Sequence, residues 1–245
     1  IVPPEKFSNL KITEAKTKAV GFPAITSSIK HIADEMGMAK GLKLLNKMNQ
    51  QDGFDCPGCA WPDPKKPSAL GEYCENGAKA IAEEATDKRI TADFLSKHSV
   101  EELSEQSDYY IGKLGRLTEP MFLAKGSSHY QPISWSDAFT KIGDKLSALN
   151  SPNEAAFYTS GRTSNEAAYM YQLMVRQFGT NNLPDCSNMC HESSGAGLSA
   201  TVGIGKGSVT LEDLYEAELI IVMGQNPGTN HPRMLTALEK CKKNG

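Results

Sequence analysis

Three cysteines in the N-terminal half of the sequence have a spacing that suits metal binding. Cys56 and Cys59 are two residues apart, and Cys74 follows fifteen positions after Cys59. Two thiolates at the first spacing can reach one metal ion from a tight turn, which Gly58 allows. Asp63 could supply a further ligand. The residues leave three readings open, namely an iron–sulfur site, a zinc site and a dithiol without metal.

A second reactive pair consists of Cys190 and the adjacent His191. The neighbouring imidazole and the start of a predicted helix both favour the thiolate form of Cys190. A thiolate is the form that binds a soft metal or reacts with an electrophile. The alternative is a buried structural cysteine beside a surface histidine.

Two polar loops follow predicted strands, the position at which open α/β sheets bind ligands. The loop over residues 224–232 carries amides, asparagines and a threonine that suit a phosphate or a nucleotide. An earlier loop contains Arg162, which suits an anion, although Ser164 in the same loop could simply cap a helix. Neither loop has the glycine pattern of a dinucleotide-binding dehydrogenase or a P-loop protein.

The elements that must position these residues alternate between strands and helices. Apolar residues at helical spacing predict helices over 29–48, with interruptions at Gly37 and Gly41, and over 165–178, with a stop at Gly179. Residues 155–159 predict a short strand, and the continuous apolar run over 219–223 predicts a buried parallel strand. We therefore predict an α/β fold, a doubly wound and mostly parallel sheet with helices on both faces.

The predicted domain boundary lies near residue 133. Residues 1–132 form a small irregular and helical N-terminal region, with the cysteine-bearing subdomain at about 50–80. Residues 133–245 form the first part of the α/β domain. Because the sequence ends on a predicted helix where a further strand is expected, we expect the chain to be a fragment of a longer protein.

Composition excludes several classes of protein. The 245 residues carry 26 Lys and Arg against 29 Asp and Glu, a formal net charge of −3, which argues against a nucleic-acid partner. The most apolar stretch, residues 219–223, is far shorter than the roughly 20 residues of a membrane span. Six cysteines without a visible export signal favour a cytoplasmic protein with reduced thiols.

Taken together and in this order, the motifs resemble those of molybdopterin oxidoreductases of the formate dehydrogenase class. The resemblance rests on Tyr158-Thr-Ser-Gly-Arg-Thr-Ser-Asn-Glu-Ala, Phe178-Gly-Thr-Asn-Asn, Met189-Cys-His-Glu-Ser and Ile221-Val-Met-Gly-Gln-Asn-Pro-Gly-Thr-Asn-His-Pro. Two further stretches narrow it to formate-dehydrogenase-like alpha proteins, namely Phe54-Asp-Cys-Pro-Gly-Cys-Ala-Trp-Pro-Asp and Tyr73-Cys-Glu-Asn-Gly-Ala-Lys-Ala.

The resemblance implies a two-electron oxidation of formate or a similar small anion at a molybdenum held by two molybdopterin guanine dinucleotides. Cys190 would ligate the molybdenum, and His191 would handle the proton taken from the substrate. Electrons would leave to an acceptor or partner subunit that the sequence does not identify. The implied cofactor-binding residues are Gly161, Arg162, Asn165, Thr180, Asn181, Asn182, Gly224, Asn226, Thr229 and Asn230.

The sequence departs from the family pattern at the cysteine site. Family members with an N-terminal [4Fe-4S] cluster usually have four cysteines; Cys56, Cys59 and Cys74 match three of them, and Asp63 occupies the remaining position as a candidate ligand. Asn76 stands where many formate dehydrogenases have a lysine on the electron route. The cluster is therefore either absent or coupled differently to the pterin in electron transfer. Two alternatives remain, a non-catalytic zinc- or cluster-binding domain on the same fold and an oxoanion reductase.

Overall fold

The computed structural model describes residues 14, 20–59, 61–69, 71–184 and 190–244. Contacts divide the chain into two compact units. The first unit combines residues up to 135 with those from 211 onward, and the second comprises residues 136–210. These packing units do not coincide with the sequence domains 1–132 and 133–245, and that domain division stays a prediction.

Most regular structure in the described residues is helical. The helices are α1 (Phe22–Met36), α2 (Met38–Leu45), α3 (Glu75–Glu84), α4 (Ala92–Lys97), α5 (Val100–Ser104), α6 (Asp108–Lys113), α7 (Trp135–Ser147), α8 (Asn165–Phe178), α9 (Glu192–Val202), α10 (Leu211–Glu216), α11 (Pro227–Asn230) and α12 (Met234–Asn244), with a short 3₁₀ turn at Pro152–Glu154. None of these helices is long and apolar enough to cross a membrane.

The strands of the described residues are short and form two separate sheets. β1 (Arg89–Ile90) pairs in parallel with β2 (Arg116–Leu117), and β3 (Met121–Phe122) pairs antiparallel with β4 (Gln131–Pro132). This pattern fits a mixed α/β chain, but it does not confirm the doubly wound sheet, which stays a prediction.

The two strands predicted at 155–159 and 219–223 are absent from the strands of the described residues. The side chains of Leu219, Ile221 and Met223 are largely exposed rather than buried on both faces. A parallel strand obtains its hydrogen bonds only from neighbouring strands. Within the described part of the chain no strand lies beside either run, so an apolar pattern alone was not enough to form one.

Helices α1 and α2 form the predicted helical pair and build the core of the first unit. Gly37 separates them at a φ of 76°, which confirms the interruption predicted there, whereas Gly41 lies inside α2 and does not interrupt it. At Gly41 a Cβ atom would lie 1.7 Å from Cγ2 of Ile32, so the glycine is needed for the two helices to approach. Met36 and Met48 are buried in this core, which agrees with a packing role for methionines of this segment.

A buried carboxylate, Glu35, ties the end of α1 to the following segments. Its Oε2 accepts from the hydroxyl of Thr86 at 2.8 Å, and its Oε1 lies 3.0 Å from Nζ of Lys88 and 3.2 Å from Nζ of Lys113. Burial opposes the negative charge, but these three donors outweigh it and lower the pKa of Glu35 below its usual value. The network thus fixes α1 against the 86–88 segment and α6.

Replacing Glu35 by glutamine is expected to lower the free energy of unfolding by about 2 kcal/mol at pH 7, because two cations lose their charged partner. Since folding lowers the pKa of Glu35, its stabilisation is present above the ordinary glutamate pKa of about 4.3 and is lost as the pH falls through the lower folded value.

Urea unfolding of the wild-type protein and of Glu35→Gln at pH 7 and at pH 3 checks this expectation. Glu105→Gln, at an exposed carboxylate, serves as the control. The free energies of unfolding of the wild-type protein and of Glu35→Gln should differ at pH 7 and become similar at pH 3. An equal loss in Glu35→Gln and Glu105→Gln at pH 7 would contradict the role of this network.

The second unit is built around α8, whose ends follow local signals. The hydroxyl of Ser164 accepts from the amide of Ala167 and caps the start of the helix, and Gly179 ends it at a φ of 109°. Phe157 is buried and makes edge-on ring contacts with Tyr171 and Phe178 of α8. This packing holds the 155–159 segment against the helix.

Candidate functional site

The three cysteines of the first unit lie close to one another around the start of α3. Sγ of Cys56 accepts a hydrogen bond from the amide of Gly58, and Sγ of Cys74 accepts one from the amide of Gly77, both at 3.4 Å. Cys74 is also the N-cap of α3. Amide hydrogen bonds to sulfur are one of the features that tune iron–sulfur sites. We refer to residues 53–76 as the cysteine segment.

Gly77 leaves room for two of these thiols. A Cβ atom at this position would lie 2.9 Å from Sγ of Cys56 and 4.0 Å from Sγ of Cys74, so both sulfurs face the same point of the helix backbone. Burial raises the pKa of the Cys56 thiol, and the nearby Cys59 and Cys74 thiols add to that rise. The three cysteines offer soft sulfur donors, which suit iron or zinc.

The thiols are near one another but are not arranged as a finished metal site. Among the described residues, no group of three His, Cys, Asp or Glu side chains is placed to hold a metal ion. Asp63, the candidate fourth ligand, instead accepts from Nη2 of Arg233 at 2.8 Å. Cys56, Cys59, Asp63 and Cys74 as metal ligands thus stay a prediction, and the structure gives Asp63 a different partner.

Arg233 connects the cysteine segment to the chain after residue 224. Its Nη2 lies 2.8 Å from Oε1 of Glu72 as well as from Asp63, and its side chain is only 11% exposed. Burial disfavours the cation, but the hydrogen bonds with Asp63 and Glu72 outweigh this and raise the pKa of Arg233. Neither Arg233 nor Glu72 was found from the sequence, because the two residues lie 161 positions apart.

Asn49 is a further residue that sequence reasoning missed. Its backbone has a φ of 56°, a left-handed conformation that asparagine tolerates better than most residues. Its side chain accepts from the amide of Cys56 at 2.8 Å and donates to the carbonyl of Glu72 at 2.5 Å. This buried amide therefore holds both ends of the cysteine segment. An asparagine directly after a predicted helix was the only local signal.

The second polar loop, which we call the cofactor loop (residues 224–232), begins at Gly224 with a φ of 68°. The carbonyl of Asn226 accepts from the amides of Thr229 and Asn230 at the short helix α11. Asn76, at the position of the family lysine, donates from Nδ2 to the carbonyl of Thr229 at 2.7 Å. The cysteine segment and the cofactor loop are thus in direct contact within the first unit.

His231 carries an unsatisfied polar atom in the same loop. Its Nδ1 is buried and has no hydrogen-bond partner among the described residues, and its ring centroid lies 6.3 Å from that of Trp61. A buried polar atom without a partner costs free energy. An additional polar group bound at the cofactor loop would remove this cost, so the loop fits a polar cofactor.

The loop before α8 is held by hydrogen bonds among its own residues. The hydroxyls of Thr159 and Thr163 are 2.8 Å apart, and the amide of Arg162 donates to Oγ of Ser160. Gly161, Arg162 and Asn165 are all exposed. Their contacts with a cofactor stay a prediction, and the helix cap by Ser164 is confirmed.

The segment after α8 uses its side chains for internal structure. The hydroxyl of Thr180 is buried and donates to Oδ1 of Asn153 at 2.7 Å. Nδ2 of Asn182 donates to the carbonyls of Asn153 and Ala155. These bonds fix the backbone around residue 155, whereas Asn181 and Asn182 both remain exposed. Cofactor binding by all three residues stays a prediction.

Cys190 and His191 directly precede α9 in the second unit. Both are exposed, so the alternative of a buried structural cysteine does not hold for Cys190. The carbonyl of His191 accepts from the amide of Gly195 and starts the helix. The pair is therefore presented to solvent directly before α9. Its role at a metal stays a prediction.

Comparisons with known proteins agree on one family. A protein named "Uncharacterized oxidoreductase" from Mycobacterium tuberculosis H37Rv is 56% identical over 234 residues, which cover 96% of this chain and 30% of that protein. YdeP from Escherichia coli K12 is 49% identical over 235 residues, or 96% of this chain and 31% of YdeP. A Staphylococcus aureus protein named "Putative formate dehydrogenase" is 33% identical over 138 residues, or 55% of this chain and 14% of that protein.

The chain spans about a third of the length of the first two relatives. No solved structure matches it. The model of the molybdopterin oxidoreductase family matches residues 116–244, more than half of the chain. This stretch includes Cys190, His191 and both polar loops. The chain therefore belongs to the molybdopterin oxidoreductase family.

Proposed function

We propose that the chain is part of a molybdenum enzyme that binds two molybdopterin guanine dinucleotides and oxidises formate or a similar small anion. The observation that carries the proposal is the exposed Cys190–His191 pair at the start of α9, inside the stretch that matches the family. The name of the distant Staphylococcus aureus relative supports the choice of formate.

The chemistry of the pair fits this reaction. The bound molybdenum–pterin group would supply the two-electron redox chemistry. The Cys190 thiolate would hold the metal, and the neutral His191 imidazole would accept the proton released when formate becomes carbon dioxide. The reaction HCOO⁻ → CO₂ + H⁺ + 2e⁻ balances when an electron acceptor, here an artificial dye, takes both electrons.

The cofactor would be held by the two polar loops. Arg162 offers a guanidinium to an anionic phosphate, and the cofactor loop offers Nδ1 of His231, which has no hydrogen-bond partner among the described residues. A metal at Cys56, Cys59 and Cys74 would pass electrons onward, and the contact between Asn76 and Thr229 would bring that segment to the cofactor loop. The final acceptor, which we propose to be a partner subunit or a soluble carrier, and a cytoplasmic location stay predictions.

One observation favours a second candidate. Because Asp63 pairs with Arg233, it does not complete a four-ligand set with the three thiols among the described residues, which is compatible with a segment that carries no iron–sulfur cluster. In that case the chain would belong to a protein that keeps the family fold without redox function.

Dye-linked assays of the anaerobically purified protein distinguish these functions and their substrates. We expect formate to reduce a viologen dye, whereas nitrate and related oxoanions should not oxidise the reduced dye. Oxoanion reduction without formate oxidation would assign the protein to the oxoanion reductases. No turnover in either direction would favour the non-catalytic candidate.

A further inference from the structure

A single buried cation joins the cysteine segment to the end of the cofactor loop. Arg233 directly follows that loop, and its Nη2 donates to Oδ1 of Asp63 and Oε1 of Glu72, both at 2.8 Å. Its Nε donates to the same oxygen of Glu72 at 3.2 Å. Charge-assisted hydrogen bonds of this length are about twice as strong as neutral ones. One side chain therefore holds two carboxylates from the opposite segment.

Stabilisation of the following helix does not explain this cation. Arg233 lies immediately before α12, where the positive end of the helix dipole disfavours a positive charge. Burying a guanidinium also costs free energy unless anionic acceptors compensate. Asp63 and Glu72 provide that compensation from the cysteine segment. The arrangement thus favours a role in holding the two segments together.

Two further contacts run between the same segments. Nδ2 of Asn76 donates to the carbonyl of Thr229, and the rings of Trp61 and His231 are neighbours at 6.3 Å. Each contact pairs one residue of the cysteine segment or its adjoining helix with one residue of the cofactor loop. Of these three connections, the one made by Arg233 is charged and has the most hydrogen bonds.

We propose that Arg233 is a positioning residue that couples order in the cysteine segment to order in the cofactor loop, and that Asp63 serves this ion pair rather than a metal. The identity of the groups bound at the two segments rests on the proposed function. The thiols of Cys56, Cys59 and Cys74 would hold a metal that orders the segment carrying Asp63 and Glu72, and Arg233 would transmit this order to residues 224–232. Loss of that metal loosens the cofactor loop.

Amide hydrogen exchange of the purified protein, read by mass spectrometry on peptides that cover residues 224–234, tests the role of Arg233. Arg233→Met is expected to raise exchange in this loop about tenfold. Arg233→Lys keeps the charge without the forked geometry and should restore part of the protection. Arg116→Met, which removes an exposed ion pair with Glu84 in the same unit, is the matched control and should leave the loop unchanged.

A double-mutant cycle tests whether the carboxylates act through Arg233. Glu72→Gln alone should raise exchange in the cofactor loop, and its combination with Arg233→Met should raise it no further than Arg233→Met alone. Unchanged exchange in Arg233→Met, or additive effects of the two substitutions, would overturn the proposal.

Metal measurements test whether metal in the cysteine segment orders the cofactor loop and whether Asp63 is a metal ligand. Removing bound metal with a chelator should raise loop exchange in the wild-type protein and add nothing in Arg233→Met; an equal rise in both would refute the coupling. Asp63→Ala should keep the wild-type metal content while raising loop exchange. Loss of metal with unchanged exchange would make Asp63 a ligand and overturn its assignment. If the wild-type protein binds no metal or pterin, the proposed function fails, and the exchange cycle still decides whether Arg233 positions the loop.

Discussion

Substitution of Cys190 by alanine is expected to reduce formate oxidation at least about a thousandfold, equivalent to about 4 kcal/mol in the activation free energy. The thiolate is the protein ligand that the proposed function assigns to the metal, and alanine offers no donor atom. Because Cys190 is exposed, its replacement leaves no cavity in the core. The variant should therefore unfold at the same temperature as the wild-type protein.

The test of Cys190→Ala compares formate-dependent dye reduction with pterin content and thermal unfolding in the same preparations. Ser194→Ala, at an exposed position on the same helix α9, is the matched control and should retain activity. Full turnover in Cys190→Ala would show that Cys190 does not ligate the metal. Loss of activity together with a lower unfolding temperature would point to a structural role instead.

The second large effect is expected at Gly77, where alanine should expel the metal that we propose for the cysteine segment. The new Cβ atom would lie 2.9 Å from Sγ of Cys56, closer than van der Waals contact permits, so the sulfur must move. We expect metal affinity to fall at least about tenfold, the usual scale for disturbing the surroundings of metal ligands. Helix propensity acts in the opposite direction, since alanine in a helix is about 1 kcal/mol more favourable than glycine.

Metal content per protein and the free energy of unfolding of the metal-free form separate these two effects. Gly112→Ala in α6 is the matched control, because no atom lies within 4 Å of its added Cβ, and it should keep all bound metal. Gly77→Ala with undiminished metal would show that Cys56 does not contribute a ligand. A comparable metal loss in Gly112→Ala would indicate a general effect of the substitution.

Features fixed by a few neighbouring residues were predictable from the sequence. The Ser99–Glu102 capping box at α5, the start and stop of α8, and the break at Gly37 each depend on side chains within one helical turn. The position of Cys190 near a helix start follows from the same kind of local signal, whereas its exposure was not predicted. At these positions helix propensity, capping and hydrophobic spacing all predict the same local structure.

Features that depend on distant partners were not predictable. The run at 219–223 has the composition of a buried strand, yet pairing is a property of neighbouring strands, and the described residues provide none for it. Asp63 has the position of a metal ligand in the sequence, but a cation 170 positions away takes its oxygen. Asn49, Glu72 and Arg233 have no motif of their own, and only the folded chain brings Asn49 and Arg233 to Glu72.

The measurement that tests the central claim most directly is the Mo, W, Fe and Zn content of the protein purified without oxygen, together with its pterin content. The account predicts about one molybdenum or tungsten per chain together with pterin. A cluster at Cys56, Cys59 and Cys74 would add about four irons. Zinc without molybdenum, tungsten or pterin would contradict the account and reduce Cys190 to an ordinary surface thiol.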